Sequence, residues 1–212
     1  MGLDSATPVL ALGISGSPRL DGNSDRLVKE VLAGARTAGA RVELVSLREL
    51  SLKPCRGCRS CEETGECAQE DDFQKVRDRM VAADRLVLAT PVYFMTVSAQ
   101  LKLLMDRSQS LWVRKYRLKR PLPPASNPPR LGAAVAVGGS KVKETFTGIS
   151  LTMRYFFDVF SVARVFELFY QPFDRPGTIR QHPTALADAF ALGQVLGRKI
   201  EGTGYPETRR SQ

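Results

Sequence analysis

Hydrophobic and polar positions along this chain switch between two spacings, one for buried strands and one for amphipathic helices. Val9–Ile14 is an unbroken apolar run closed by Ser-Gly-Ser-Pro, the length and punctuation of a strand covered on both faces. After Asn23-Ser24, apolar residues recur at Leu27, Val28, Val31, Leu32 and Ala35, one face of a helix that Gly39 ends. Ser24 is the expected N-cap, with Asp25 in the first turn where an anion suits the helix dipole.

The same reading predicts strands over Val42–Leu47, Arg85–Ala89, Leu131–Val137 and Ala163–Phe169. Helices are predicted over Asp71–Met80, Ser98–Leu111, Lys143–Phe157 and Thr184–Ile200. Strands that alternate with helices imply a parallel sheet covered on both faces. The expected fold is therefore α/β: one doubly wound domain over residues 1–200 around a five-stranded parallel sheet, with 201–212 as a flexible tail.

Composition narrows the classes. At 212 residues, 43% hydrophobic and 25% charged, the chain is neither disordered nor collagen-like. Its apolar runs reach about seven residues, short of the ~20 that span a membrane. Residues 1–8 carry Asp4 and no basic cluster, and Ala6 breaks the myristoylation pattern, so the expected compartment is the cytoplasm. The net charge of +9 points to an anionic partner. Six basic residues and no acid lie between Trp112 and Arg130 (Arg114, Lys115, Arg117, Lys119, Arg120, Arg130). Five prolines from Pro121 to Pro129 make this excursion irregular, and no nucleic-acid module surrounds it. Trp112 and Tyr116 read either as a subunit contact or flavin cover, or as loop anchors.

In doubly wound sheets, ligands sit beyond the carboxyl ends of the strands. The first such end reads Gly13-Ile14-Ser15-Gly16-Ser17-Pro18-Arg19, then Gly22-Asn23-Ser24 at a helix start, a natural anion site. It lacks the lysine of a triphosphate loop and the glycine spacing of a dinucleotide loop, so hydroxyls and amides here suit one phosphate monoester. The third strand end offers Thr90-Pro91-Val92-Tyr93-Phe94, aromatics for a flat ring, and the fourth offers Gly138-Gly139 as a shelf. Together these fit flavin mononucleotide (FMN).

All four cysteines fall within 13 residues, Cys55-x2-Cys58-x2-Cys61-x5-Cys67, on the loop after the second strand. That spacing points to a single site for one cluster. Structural zinc and bare thiols remain alternatives, while disulfides do not suit a reducing compartment. Arg56, Arg59 and Lys53 lie among the sulfurs and would offset a cluster's negative charge. His182, the lone histidine, reads as a surface or capping residue, and no G-x-S-x-G supports a hydrolase. Asp71-Asp72 reads as a pair of first-turn acids.

The phosphate loop, Thr90–Phe94 and Ser98-Ala99-Gln100-Leu101-Lys102 resemble the NADPH-dependent FMN reductases of the flavodoxin-like fold. The cysteine spacing is similar to that of the iron–sulfur flavoproteins, a branch of that family. The resemblance implies that Ser15, Ser17, Arg19, Asn23 and Ser24 hold the FMN phosphate. It implies that Pro91, Val92, Tyr93 and Phe94 border the isoalloxazine, with Gly138 and Gly139 on its other side. Relatives continue their glycines into Gly-Gly-Gln-Glu, where this chain has Ser140-Lys141-Val142-Lys143. It implies a [4Fe–4S] cluster on Cys55, Cys58, Cys61 and Cys67, and a homodimer or homotetramer. The implied function is electron transfer with no protein acid or base in the chemistry. NAD(P)H, or an acidic carrier such as ferredoxin steered by the basic segment, would be the partner. The alternatives are an NAD(P)H-dependent FMN or quinone reductase without a cluster, and a zinc-bearing interaction module.

Overall fold

The computed structural model describes residues 7–200; the expected tail at 201–212 lies outside them. Five strands, β1 (Leu10–Ser15), β2 (Arg41–Ser46), β3 (Arg85–Pro91), β4 (Leu131–Val137) and β5 (Arg164–Tyr170), form one sheet in the order β2-β1-β3-β4-β5. Every pairing is parallel. This is the flavodoxin-like arrangement, in which all strands run the same way and the strand order reverses between β1 and β3.

The helices are α1 (Asn23–Thr37), α2 (Cys61–Thr64), α3 (Phe73–Ala82), α4 (Ala99–Arg107), α5 (Gln109–Trp112), α6 (Thr147–Val159) and α7 (Ala185–Gly197). Successive residues of a strand face opposite ways, and the two cores divide accordingly. Leu86 and Leu88 of β3 pack with Phe73, Leu101 and Phe157 from α3, α4 and α6. Val87 and Ala89 pack with Leu27, Val31 and Leu196 from α1 and α7. Among the described residues no helix is long and apolar enough to cross a membrane.

Glycine allows α1 and α7 to cross closely. A Cβ on Gly193 would lie 1.9 Å from the Val31 carbonyl oxygen, and one on Gly34 would lie 2.0 Å from that of Phe190. Any side chain there would push the two helices apart.

Several expected boundaries move. Lys143–Phe146 is not helical, because α6 starts only at Thr147. The segment 98–111 breaks at Ser108, which separates α4 from α5, and a single π-helical turn over Val113–Arg117 follows. Ser24 is not the N-cap: Gly22 takes that place without any side-chain bond, and Ser24 lies within the first turn. Asp71 is outside α3 and its carboxylate is buried against Arg107 at 2.5 Å. His182 does cap a helix: its Nδ1 accepts from the backbone N–H groups of Thr184 and Ala185 at the start of α7.

Arginines also end up inside the fold. Arg85, the first residue of the central strand, is fully buried and donates to the carbonyls of Leu196, Asp84, Asn127, Pro129 and Arg198. Arg130 donates to Val81, Ala83 and Phe160. Five fixed N–H groups let guanidinium satisfy helix-end carbonyls that otherwise lack partners.

Candidate functional site

Two concave sites lie along the loops that leave the strands. The first is walled by Ser17, Arg19, Gly22, Asn23, Ser24, Pro91, Val92, Tyr93, Val137, Gly139, Phe173, Asp174 and Pro176. Its floor is rigid. The Gly16 N–H donates to the Ala89 carbonyl, and Ser98 Oγ donates to the Gly16 carbonyl at 2.6 Å, tying the loop to β3 and α4. Ser17 Oγ donates to the Arg19 carbonyl at 2.9 Å, closing a hydroxyl turn. Gly22 has to be small, because a Cβ there would sit 2.5 Å from that hydroxyl.

Beneath the loop, Asp25 has a fully buried carboxylate. Burial works against its charge, but hydrogen bonds from Ser15 and Lys29, together with Arg48, hold its pKa below the ordinary 3.8. The structure thus puts Ser15 under the site, bonded to Asp25. Asn23 lines the site, yet its amide is committed elsewhere: Nδ2 donates to the Phe173 and Arg175 carbonyls, and Oδ1 accepts from Ile179. It fastens the loop after β5 over the cavity. Ser24 differs from both. It is buried at 2% exposure and its hydroxyl has no partner.

The first backbone N–H bonded back in α1 is that of Arg26, to the Gly22 carbonyl. The N–H groups of Asn23, Ser24 and Asp25 precede it, and no side chain caps them. An orphaned hydroxyl and uncapped N–H groups facing a cavity are a donor set for a phosphate. FMN fits these residues.

Pro91, Val92, Tyr93 and Gly139 also reach this cavity. Phe94 and Gly138 are not among its lining residues. Phe94 is fully exposed at φ +48°, and Gly138 is bonded into the continuation of β4 and β5. Sequence reasoning missed Phe173, Asp174 and Pro176. The signal was the run of turn-formers Pro172 to Gly177 directly after β5, a fifth strand end on the same rim.

The second site gathers the cysteines. Cys55, Cys58, Cys61 and Cys67 line one cavity of about 190 Å3, with Gln69, Arg107, Gln109, Ser110 and Val113. None is in a disulfide. Gly57, Arg59 and Gly65 take positive φ (63°, 63° and 78°), which turns the loop so that all four cysteines line the one cavity. Ser60 donates to Cys58 Sγ and lowers that thiol's pKa. Burial raises Cys61, and the neighbouring Cys67, Cys55 and Cys58 raise it further. Among the described residues no three His, Cys, Asp or Glu side chains form a ready metal cage. The donor chemistry of four thiols on one cavity still fits a cluster, since metal sites commonly close only on binding.

The basic segment buttresses this loop. Arg117 pairs with Glu62 at 2.6 Å, Arg114 with Glu66 at 3.7 Å, and Lys115 with Asp158 at 3.6 Å. Arg130 is buried on backbone carbonyls, and of the other five cations only Lys119 and Arg120 have no carboxylate partner among the described residues. Trp112 and Tyr116 pack on each other at 5.6 Å, and Tyr116 bonds to Asp158, as loop anchors would.

A family model described as NADPH-dependent FMN reductase matches residues 9–164. An iron–sulfur flavoprotein of Methanocaldococcus jannaschii is 43% identical over 130 residues, 61% of this chain and 62% of that protein. One from Methanosarcina thermophila is 35% identical over 129 residues, 61% of this chain and 63% of the relative. The match thus covers less than two thirds of either relative's length. Among solved structures, an NAD(P)H:quinone oxidoreductase from Methanothermobacter marburgensis superposes with TM-score 0.68 at 18% identity, over 90% of this chain and 100% of that one. A flavone reductase gives 0.63 at 20% identity, over 89% and 62%. These two likenesses speak to the fold. On the family match over residues 9–164, the chain belongs to the NADPH-dependent FMN reductase family.

Proposed function

We propose that this protein is an FMN-dependent electron-transfer flavoprotein whose four cysteines hold a [4Fe–4S] cluster. The observation that carries the reading is the Ser24 hydroxyl, buried and unpartnered in a cavity at an uncapped helix start. Bound FMN would supply hydride and single-electron chemistry, and a cluster single-electron chemistry. The residues do the rest. Ser24 and the first N–H groups of α1 hold the phosphate, and Arg19 adds a charge beside it. Ser15 and Asn23 position the loops around that phosphate through Asp25 and the carbonyls of Phe173 and Arg175. Tyr93 and Gly139 flank the ring and keep water off it. Exposed Phe94, with half-exposed Met95, offers a face on which a second copy would cover the flavin. NAD(P)H or ferredoxin is the proposed partner, with Lys119 and Arg120 as the free charges that would steer it.

The test is anaerobic purification followed by a visible spectrum and by iron, sulfide and flavin analysis. One FMN and four irons per chain are expected. Apoprotein that does not quench the fluorescence of added FMN saturably would end the flavin half. A second reading, an NAD(P)H-dependent FMN or quinone reductase without a cluster, is favoured by the exposure of Cys55 and Cys58, both free thiols. Yellow, iron-free protein that oxidises NADPH steadily would select it.

A further inference from the structure

Arg107, at the end of α4, lines the cysteine cavity with a side chain that is fully buried. Sequence reading gave it no role. Its Nη1 donates to the Lys53 carbonyl at 2.9 Å and to Asp71 Oδ2 at 2.5 Å, and its Nη2 donates to the Gln69 carbonyl at 3.0 Å. Lys53 stands two residues before the first cysteine and Gln69 two residues after the last. One guanidinium therefore grips both ends of the sulfur-bearing loop. Asp71 completes the clasp by accepting from the Lys53 N–H at 2.9 Å.

That leaves the clasp with spare donors. Guanidinium carries five N–H groups, and the Nε–H of Arg107 has no partner although it is buried. Buried donors are nearly always bonded, and an exception calls for an absent acceptor. Cys67 is the neighbouring sulfur. Burial works against the Arg107 charge, but the bonded Asp71 carboxylate and the nearby Cys67 hold its pKa above the ordinary arginine value. The face of Phe73 lies 4.7 Å from the guanidinium carbon and blocks water from that side.

We propose that Arg107 is the positioning residue of the sulfur site, closing the Lys53–Asp71 loop and donating an N–H···S hydrogen bond to the Cys67 sulfur that raises the site's reduction potential. The inference rests on the cluster reading above. A buried cation and a hydrogen bond to a ligand sulfur both favour the more negative, reduced state. Among the described residues, the other cations that line this cavity, Arg56 and Arg59, are exposed, and Arg59 is turned to Glu62.

The test uses anaerobically purified holoprotein and its Arg107→Lys variant, which keeps the charge but loses the fork. Iron content, FMN content and both midpoint potentials are measured by a mediated optical and EPR titration. The expected result is a cluster potential at least tenfold lower in reduced-to-oxidised ratio at fixed potential, about 59 mV for one electron, with the FMN potential unmoved. A purely structural role would lower iron content and leave the remaining clusters' potential unchanged, and that result overturns the proposal. Should the variant not fold, the parent labelled with 15N-arginine is read by pulsed EPR of the reduced cluster. A 15N coupling is expected, and its absence overturns the proposal. A parent that takes up no iron removes the cluster reading itself, which separates the two failures.

Discussion

The phosphate loop and the cysteine loop leave neighbouring strands on the same rim, yet they are built in opposite ways. Residues Ser15, Ser17 and Ser24 are buried, and their loop is bonded to β3 and Ser98 through Gly16 and to the loop after β5 through the Asn23 amide. Cys55 and Cys58 are exposed, and much of the loop's hold comes at its two ends, from the Arg107–Asp71 clasp. A site for a small anion can be formed in advance, because hydroxyls and N–H groups tolerate waiting in water. Four thiolates cannot, since like charges brought together raise one another's pKa, as the other three do to Cys61. On the cluster reading, the second site would close only when metal arrives to relieve that repulsion.

Substitutions that should touch only one loop test this contrast. The largest effect is expected for Cys61→Ser, which should abolish iron incorporation while the FMN dissociation constant stays within about twofold. If flavin binding fell as well, the two loops would not be independent.

Asp25→Asn removes a buried carboxylate charge from the part-exposed Lys29 and Arg48 under the phosphate loop and should cost about 1–3 kcal/mol in urea unfolding. It should weaken FMN binding and leave iron content alone. Ser24→Ala removes a hydroxyl that has no partner in the protein itself. Apoprotein stability should therefore hold or rise slightly, while FMN affinity drops about tenfold to a hundredfold for the lost bond to a charged phosphate, roughly 1.5–3 kcal/mol. Fluorescence-quenching titration reads both variants.

Acid should act on both loops together. At Asp25, Asp71 and Asp84 burial opposes ionisation, but bonded donors and cations hold each pKa below 3.8. Carboxylates with lowered folded-state pKa values contribute stability above the unfolded value and lose it as pH falls through the folded one. Unfolding midpoints should be flat above about pH 5 and fall below about pH 4. The smallest effect is expected for Arg117→Ala. Its pair with Glu62 is part-exposed and should contribute under about 1 kcal/mol, measured by thermal unfolding.

Much of this was legible in the amino-acid order. Strand residues buried on both faces leave long apolar runs, and Leu131–Val137 matches β4 residue for residue. The Ser/Asn loop, the Tyr93 wall and the sulfur spacing were also local, because each is a short run placed at a strand end. The basic stretch 112–130 was visible, but a charge count cannot show that Glu62, Glu66 and Asp158 lie opposite three of its cations.

The chain order by itself determined the alternation of strands and helices, the four-sulfur turn and the donor-rich loop, because periodicity and spacing are properties of neighbours. Only the tertiary structure decided that Asn23 ties down a loop some 150 residues away, that Arg85 and Arg130 serve as interior caps, and that Arg107 clasps the sulfur loop. A guanidinium or amide bonds whatever carbonyl folding brings within 3 Å, and no local pattern records which one that will be.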